Sequence, residues 1–315
     1  MTAAEPRAYI RGMLRLTFLG TSAAQPTLAR GLSGLAVRRE GELLLFDCGE
    51  GSQRQMMRFG TGFAVDAVFF THFHADHYLG LLGFLRTLTM QNREAPLDLY
   101  GPEPANRLLD QAIHLGFDEH SFPIRIHELA GGDRILRSGY EILALATEHA
   151  IPSLGYALVE DERPGEFSVA RAQALGLPPG PLYGQIQRGQ PVELEGGRTI
   201  RPDQLLGPSR PGRRLVVSGD TRPCEAIAEA SHGADLLVHE ATFANSEAAR
   251  AIATRHSTAA EAAALARRAG VRRLVLTHFS SRYDDDLTAI AREARAELPA
   301  AELAYDGLTL ELPLG

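Results

Sequence analysis

The run Thr71-His72-Phe73-His74-Ala75-Asp76-His77 places three imidazoles and a carboxylate within six residues. In an extended chain His72 and His74 project to the same side, and Asp76 and His77 then fall at the first turn of a helix predicted to begin near Tyr78. Imidazole nitrogen and carboxylate oxygen are ligands that zinc accepts, and four of them this close can serve two ions. With 11 His in 315 residues, chance yields this spacing less than about one time in a thousand. The run therefore reads as a metal site rather than as surface or capping histidines.

Two ions need more ligands, and His149, Asp220 and His278 are the candidates. Each follows an apolar run and is flanked by small residues, and a carboxylate such as Asp220 can bridge two ions. The elements that must position them are short apolar runs alternating with helix-like segments, the pattern of an α/β protein. Strands are predicted at 14–19, 42–46, 67–71, 97–100, 141–147, 214–217, 236–238 and 274–276. Helices are predicted at 52–59, 78–91, 104–116, 223–231, 258–269 and 287–298. Six of the runs deliver an acid or imidazole just past their carboxyl ends: Asp47, His72, His149, Asp220, His239 and His278. In an open sheet such ends line one edge, where binding crevices form.

Composition sets the frame. At 44% hydrophobic and 23% charged with a formal charge of -7, the chain is an ordinary globular one, not disordered, collagen-like or a disulfide scaffold. There is no lysine, so every fixed positive charge is an arginine; with only three asparagines as well, codon bias in a GC-rich genome explains this better than selection for phosphate contacts. Cys48 and Cys224 form no CxxC pair, which argues against a thiolate zinc site and against a disulfide framework. No signal-peptide core or long apolar run occurs, so a cytoplasmic protein without a membrane anchor is expected. Residues 1–12 read as an extension ahead of the first strand or a misassigned start.

From residue 159 to 211 hydrophobic density falls and Pro and Gly cluster, as in Pro178-Pro179-Gly180-Pro181. A stretch this long exceeds what a connection needs and reads as an inserted arm with its own task, within a single domain spanning 1–315.

Taken together these residues resemble the metallo-β-lactamase superfamily and, within it, the ribonuclease Z family, whose members trim the 3′ trailer from precursor tRNA. His72-Phe73-His74-Ala75-Asp76-His77 carries only the superfamily. The narrower likeness rests on Phe46-Asp47-Cys48-Gly49-Glu50-Gly51, His239-Glu240-Ala241-Thr242-Phe243, His256-Ser257-Thr258 and Leu276-Thr277-His278-Phe279-Ser280-Ser281-Arg282-Tyr283. The resemblance implies an αββα sandwich with an inserted tRNA-binding arm, a homodimer, and two zinc ions per subunit, manganese being the alternative metal. One ion would be held by His72, His74 and His149, the other by Asp76, His77 and His278, with Asp220 bridging. Asp76 would orient the attacking water, and His256, oriented by Glu240, would protonate the leaving oxygen. Arg282 would clamp a phosphate near the metals, and Gly180 and Pro181 would belong to the arm's tRNA grip. The loop 22–31 looks like the family's contact to the acceptor end, but Leu28 stands where bacterial relatives commonly carry lysine.

The leading expectation is thus a zinc-dependent endoribonuclease acting on precursor tRNA and leaving a 3′-hydroxyl. Its rivals are a small-molecule phosphodiesterase or arylsulfatase-like hydrolase of the same fold, and a non-catalytic RNA-binding scaffold. Asp47 is expected to support the sheet edge, His239 to orient a ligand or fill the core, and His114, His120, His127 and His232 to serve surface or packing. The stretch 159–214 holds eight arginines and seven acids. That modest excess predicts a grip by shape plus a few arginines such as Arg171 and Arg188, with a shallow salt dependence.

Overall fold

The computed structural model describes residues 12–115 and 120–314. The proposed extension thus lies almost wholly outside the described residues. Two seven-stranded sheets form the frame. The first runs Thr309–Leu312, Leu14–Gly20, Gly34–Arg39, Glu42–Phe46, Ala67–Phe69, Leu97–Pro102 and Ile124–Leu129 in spatial order; the second runs Glu302–Leu303, Leu274–Thr277, Leu236–Glu240, Arg214–Val217, Leu154–Glu160, Tyr140–Ala146 and Arg134–Arg137. From Glu42–Phe46 to Ile124–Leu129 the first sheet is parallel, as is the second from Arg214–Val217 to Glu302–Leu303.

Parallel strands covered on both faces need apolar residues at nearly every position, which is why the inner runs show no alternation while the edge strand Ile124–Leu129 does. The period of two still divides them. Leu43, Leu45, Val68, Leu97 and Leu99 pack outward against Met56, Leu81, Phe84, Leu85 and Leu109 of the helices Ser52–Phe59, Gly80–Met90 and Ala105–Ile113. Phe46 and Phe69 point inward and meet Tyr156 of the second sheet at ring-centroid distances of 5.8 and 5.4 Å. The Tyr156 hydroxyl donates to the Phe70 carbonyl at 2.7 Å, and the Leu154 amide to the Thr71 carbonyl at 2.8 Å. These bonds fix the inner sheet faces just before His72. On the second sheet Ala259–Ala269 packs beside Leu236–Glu240 and Leu274–Thr277 and against Thr288–Glu297, which completes an αββα sandwich.

The strand Gly34–Arg39 was not predicted, because Arg38 and Arg39 break its apolar run; it forms by antiparallel pairing with Glu42–Phe46 across a turn at Glu40-Gly41. Leu154–Glu160 was also not predicted. The predicted helix 78–91 is two helices, Ala75–Tyr78 and Gly80–Met90, so the first turn begins three residues earlier than expected. Two glycines allow this. A Cβ on Gly80 would lie 2.0 Å from the Gly49 carbonyl oxygen, and one on Gly49 would lie 2.3 Å from the Asp76 carbonyl oxygen. Only at such close approach does the helix start abut the chain after Asp47.

The chain divides into two compact units, the second made of residues 137–141 and 159–212. This second unit has its own core of Ala172, Leu177, Ile186, Val192, Ile200 and Leu205. Short helices Val169–Ala174, Pro181–Gln187 and Pro202–Leu205 and a two-stranded ribbon surround it. The low apolar density of the sequence thus conceals a small packed body.

Candidate metal centre

Seven side chains converge at one edge of the sandwich. His72 follows the strand Ala67–Phe69, His149 the strand Tyr140–Ala146, Asp220 the strand Arg214–Val217 and His278 the strand Leu274–Thr277; His74 immediately precedes the short helix that carries Asp76 and His77. The ligating atoms of His72, His74, His149 and Asp220 lie within 4.8 Å of one another, as do those of Asp76, His77 and His278. His74 Nδ1 is 3.0 Å from His72 Nε2 and 3.2 Å from His149 Nε2, and His77 Nε2 is 3.3 Å from His278 Nε2. Asp220 Oδ2 stands between the groups, 3.6 Å from His72 Nε2, 3.4 Å from His77 Nε2 and 3.3 Å from His278 Nε2. The edge of a tetrahedron with metal–nitrogen bonds near 2.05 Å is about 3.3 Å.

Protonation supports the same conclusion. His77 Nδ1 is 2.8 Å from Asp47 Oδ2 and His149 Nδ1 is 3.0 Å from the Arg255 carbonyl oxygen. Those oxygens only accept, so both Nδ1 atoms carry a proton and both Nε2 atoms face the cluster, where a cation would take their lone pairs. His72 Nδ1 and His278 Nδ1 face the hydroxyls of Thr71 and Thr242 at 3.1 and 2.9 Å. Nitrogens set against one another at tetrahedral spacing, with the rings of His72, His77, His149 and His278 held from behind, are the donor set of a divalent cation. The residues fit the group.

The site's electrostatics follow from crowding. Burial raises the Asp220 and Asp76 carboxyls, but facing imidazoles (His278, His77 and His72 for Asp220; His278 and His77 for Asp76) overcome it and hold both below the usual carboxylate range. Burial and the neighbouring imidazole of His77 press His72 well below its ordinary value, and burial lowers His149. Burial opposes the charge on His77 too, yet Asp220 and Asp47 raise it well above.

Beside this cluster a cavity of about 470 Å³ is lined by His74, Asp76, Asp220, His256, His278 and Arg282 among others. His256 Nδ1 lies 2.9 Å from Glu240 Oε1. The same nitrogen is 3.8 Å from Asp220 Oδ2, which makes His256 a third ligand candidate with Asp220 and His278. Its pairing with a buried carboxylate argues otherwise: Nδ1–H is donated to Glu240, which leaves Nε2 as the nitrogen able to transfer a proton. Burial disfavours the imidazolium, but Glu240 outweighs it and raises His256 to about 9. Glu240 is held in turn by the amides of Thr221 and Thr242 and the Thr242 hydroxyl.

Four of the six non-glycine residues in the left-handed region, among the described residues, surround this site: Ala24, Asp47, Arg255 and His278. Backbone strain of this kind, about 1–3 kcal/mol per residue, persists where surrounding contacts over-determine it.

Arg282 lines the cavity but is tied to Glu247 at 3.1 Å and lies over the Phe243 ring at 5.6 Å. His239 is fully buried and its Nδ1 bonds the Glu240 carbonyl; it touches no candidate ligand by hydrogen bond. His114 is exposed beside Asp110, and His127 stacks on Tyr100 and bonds Asp98. Gly180 and Pro181 belong to the second compact unit, where Gly180, with φ of 153°, precedes the helix Pro181–Gln187. Sequence reasoning missed Thr71, Thr242 and the Arg255 carbonyl as the groups that hold the imidazoles, since a threonine or a main-chain oxygen leaves no spacing signal. Asp47 was expected only to support the sheet edge; its accepted bonds from the Thr71 amide and hydroxyl and from His77 make it the orienter of a candidate ligand.

Comparison with known proteins identifies the family. Residues 30–278 match the family model described as the metallo-beta-lactamase superfamily. A Ribonuclease Z of Myxococcus xanthus is 63% identical over 303 residues, covering 96% of this chain and 99% of the relative. The chain belongs to the ribonuclease Z family. A second Ribonuclease Z, from Gemmatimonas aurantiaca, is 51% identical with 96% of each chain covered. Among solved structures, the human tRNase Z, short form, superposes with a TM-score of 0.70 at 27% identity, covering 95% of this chain and all of that one. This ribonuclease Z family member has the two-sheet sandwich, with the candidate metal centre at its edge.

Proposed function

We propose that this chain is a metal-dependent endoribonuclease that removes the 3′ trailer from precursor tRNA and leaves a 3′-hydroxyl on the tRNA. The observation that carries the reading is a cavity shared by candidate ligands from both metal groups and by His256, which is bonded to Glu240. One ion would be held by His72, His74 and His149 and a second by Asp76, His77 and His278, with Asp220 shared; the donor set suits zinc, and manganese is the alternative. Such ions supply Lewis acidity, lowering the pKa of water and stabilising charge on both oxygens of a phosphodiester displacement.

The protein's own groups do the rest. Asp76, fixed by the Ala24 amide donating to its Oδ2 at 2.7 Å, orients the attacking water and takes its proton. A ribose 3′ oxygen leaves poorly as an alkoxide, so it needs a proton as the P–O bond breaks. His256 gives that proton from Nε2, while Glu240 accepts Nδ1–H and stabilises the imidazolium. Arg282, four residues beyond His278, lies within reach of a substrate phosphate in the same cavity.

The arm spanning 159–211, inserted in a single domain of 1–315, would grip tRNA away from the cut. Gly180 supports this, since no atom lies within 4 Å of where its Cβ would be, so its backbone is open to an RNA chain. Arg171 and Arg188 on the same unit are exposed. A homodimer and a cytoplasmic location complete the reading; both cysteines are free and buried, as a reducing compartment allows. No helix among the described residues is long and apolar enough to cross a membrane. Cleavage of a 3′-extended precursor tRNA with product mapping tests the proposal. Cutting next to the discriminator base is expected, and no cleavage by the metal-loaded protein refutes it.

A further inference from the structure

A second cavity, of about 340 Å³, lies on the far side of the loop that walls the first. Ala23, Ala24 and Gln25 line the metal-side cavity, and Pro26 to Gly31 continue along the second, whose opposite wall is the helix Ser52–Phe59. The loop is held in place by the Gln25 side chain on Ser281 and the Thr27 hydroxyl on Asp284, both 2.7 Å. From Gln25 to Ala29 the chain spans at most about 14 Å. That is roughly four nucleotide steps of 3.4 Å along one strand.

The helix presents Arg54 and Arg58 to this cavity, four residues apart and hence neighbours on one face. Both are exposed, and among the described residues neither has an ion pair or a hydrogen bond; Arg58 lies only against its neighbour Phe59. Arg15, Arg267, Arg272 and Arg273, by contrast, pair with Glu311, Glu297, Asp235 and Glu302. In a chain with net charge -7, two unpaired guanidiniums face a cavity whose exposed acid is Glu50, which leaves the local balance positive. Asp306 also lines it, but its carboxylate already accepts from Thr21, Gly31 and Gln55.

We propose that Arg54 and Arg58 form a second phosphate grip, holding RNA backbone phosphates a few nucleotides from the bond being cut. The proposal rests on the endoribonuclease reading of the metal centre. The phosphates belong either to the single-stranded trailer or to the paired acceptor stem, and the chemistry of the grip is the same for both.

The test is steady-state cleavage of precursor tRNA by wild-type protein, Arg54→Ala/Arg58→Ala and Arg54→Lys/Arg58→Lys, across a salt series. For the alanine pair a KM increase on the order of tenfold is expected, with kcat retained. The slope of log(kcat/KM) against log salt should become shallower by about 1.8 for duplex phosphates or about 1.4 for single-strand phosphates. The lysine pair should restore most of the slope. Shortening the trailer to one nucleotide separates the sources: an effect that persists places the grip on the tRNA body, and one that disappears places it on the trailer. An alanine pair with wild-type KM and salt slope, or one that loses kcat alone, overturns the proposal. Absence of cleavage by the wild-type protein instead overturns the endoribonuclease reading, so the two failures are distinct. Thermal melting of each variant identifies one that has failed to fold, and single substitutions then replace the pair.

Discussion

Replacing Asp47 by Asn tests whether the hydrogen bond behind His77 sets its ability to bind metal. Asp47 Oδ1 accepts the Thr71 amide at 2.7 Å, while Oδ2 accepts the Thr71 hydroxyl at 2.9 Å and His77 Nδ1–H at 2.8 Å. Asn tolerates the φ of 60° at this position, so the backbone is retained. With its oxygen kept on the Thr71 amide, the new NH₂ faces His77 Nδ1, and two donors then oppose each other. The imidazole escapes by moving its proton to Nε2, the nitrogen 3.3 Å from His278 Nε2 and 3.4 Å from Asp220 Oδ2. A proton there occupies the lone pair a metal needs. Loss of such an outer partner weakens metal binding about 10- to 100-fold, or about 1.4–2.8 kcal/mol. Competition against a chromophoric zinc chelator reads this directly, and one class of site should weaken while the other holds. Asp98→Asn, which makes the same change beside His127, bonded to Asp98 at 2.8 Å, is the control and should leave metal affinity unchanged. Wild-type affinity and wild-type cleavage by Asp47→Asn would refute the reasoning.

Three other outcomes are expected. His256→Ala should lower single-turnover cleavage by a factor on the order of 10² to 10⁴ while metal content by elemental analysis stays at the wild-type level. Burial pushes the Cys48 thiol up to about 12, so Cys48 should resist thiol reagents at pH 8 in the native protein and react once unfolded; mass spectrometry of the labelled peptide reports it. Burial raises Glu261, but its bonds to Arg222 and to the Thr258 cap win and hold it below its ordinary 4.5. A depressed carboxylate stabilises the fold above its unfolded pKa and loses that contribution as pH falls through the folded one. The melting-temperature gap between wild type and Glu261→Gln should therefore be full at pH 7 and close as pH drops below about 4.5.

Much of the centre was legible because its ligands come at strand ends. His72, His149, Asp220 and His278 each follow an apolar run that both sheet faces bury, and a buried run followed by a polar residue is visible without coordinates. The helix Ser52–Phe59 has the expected bounds, and Gly51 and Gly60 flank it. Gly34–Arg39 escaped notice because its strand character comes from pairing on both sides rather than from its own composition. The second compact unit hid for a related reason: six buried residues spread over some 35 positions make a core only once the turns between them close. The threonines behind His72 and His278 were invisible because a hydroxyl that orients an imidazole looks, in sequence, like any other threonine.

The bond from the Ala24 amide to Asp76 carries a different kind of consequence. Because the donor is main chain, no ordinary side-chain replacement at position 24 removes it, and an alanine scan of the loop would pass over it entirely. Only the path of the chain matters to the carboxylate, and that path is secured by Ser22, Gln25 and Thr27 bonding outside the loop tip. The tip itself, where Leu28 stands fully exposed, is thereby uncoupled from the chemistry a few residues away. Natural variation can alter what the loop touches while the geometry of the reacting carboxylate is inherited unchanged.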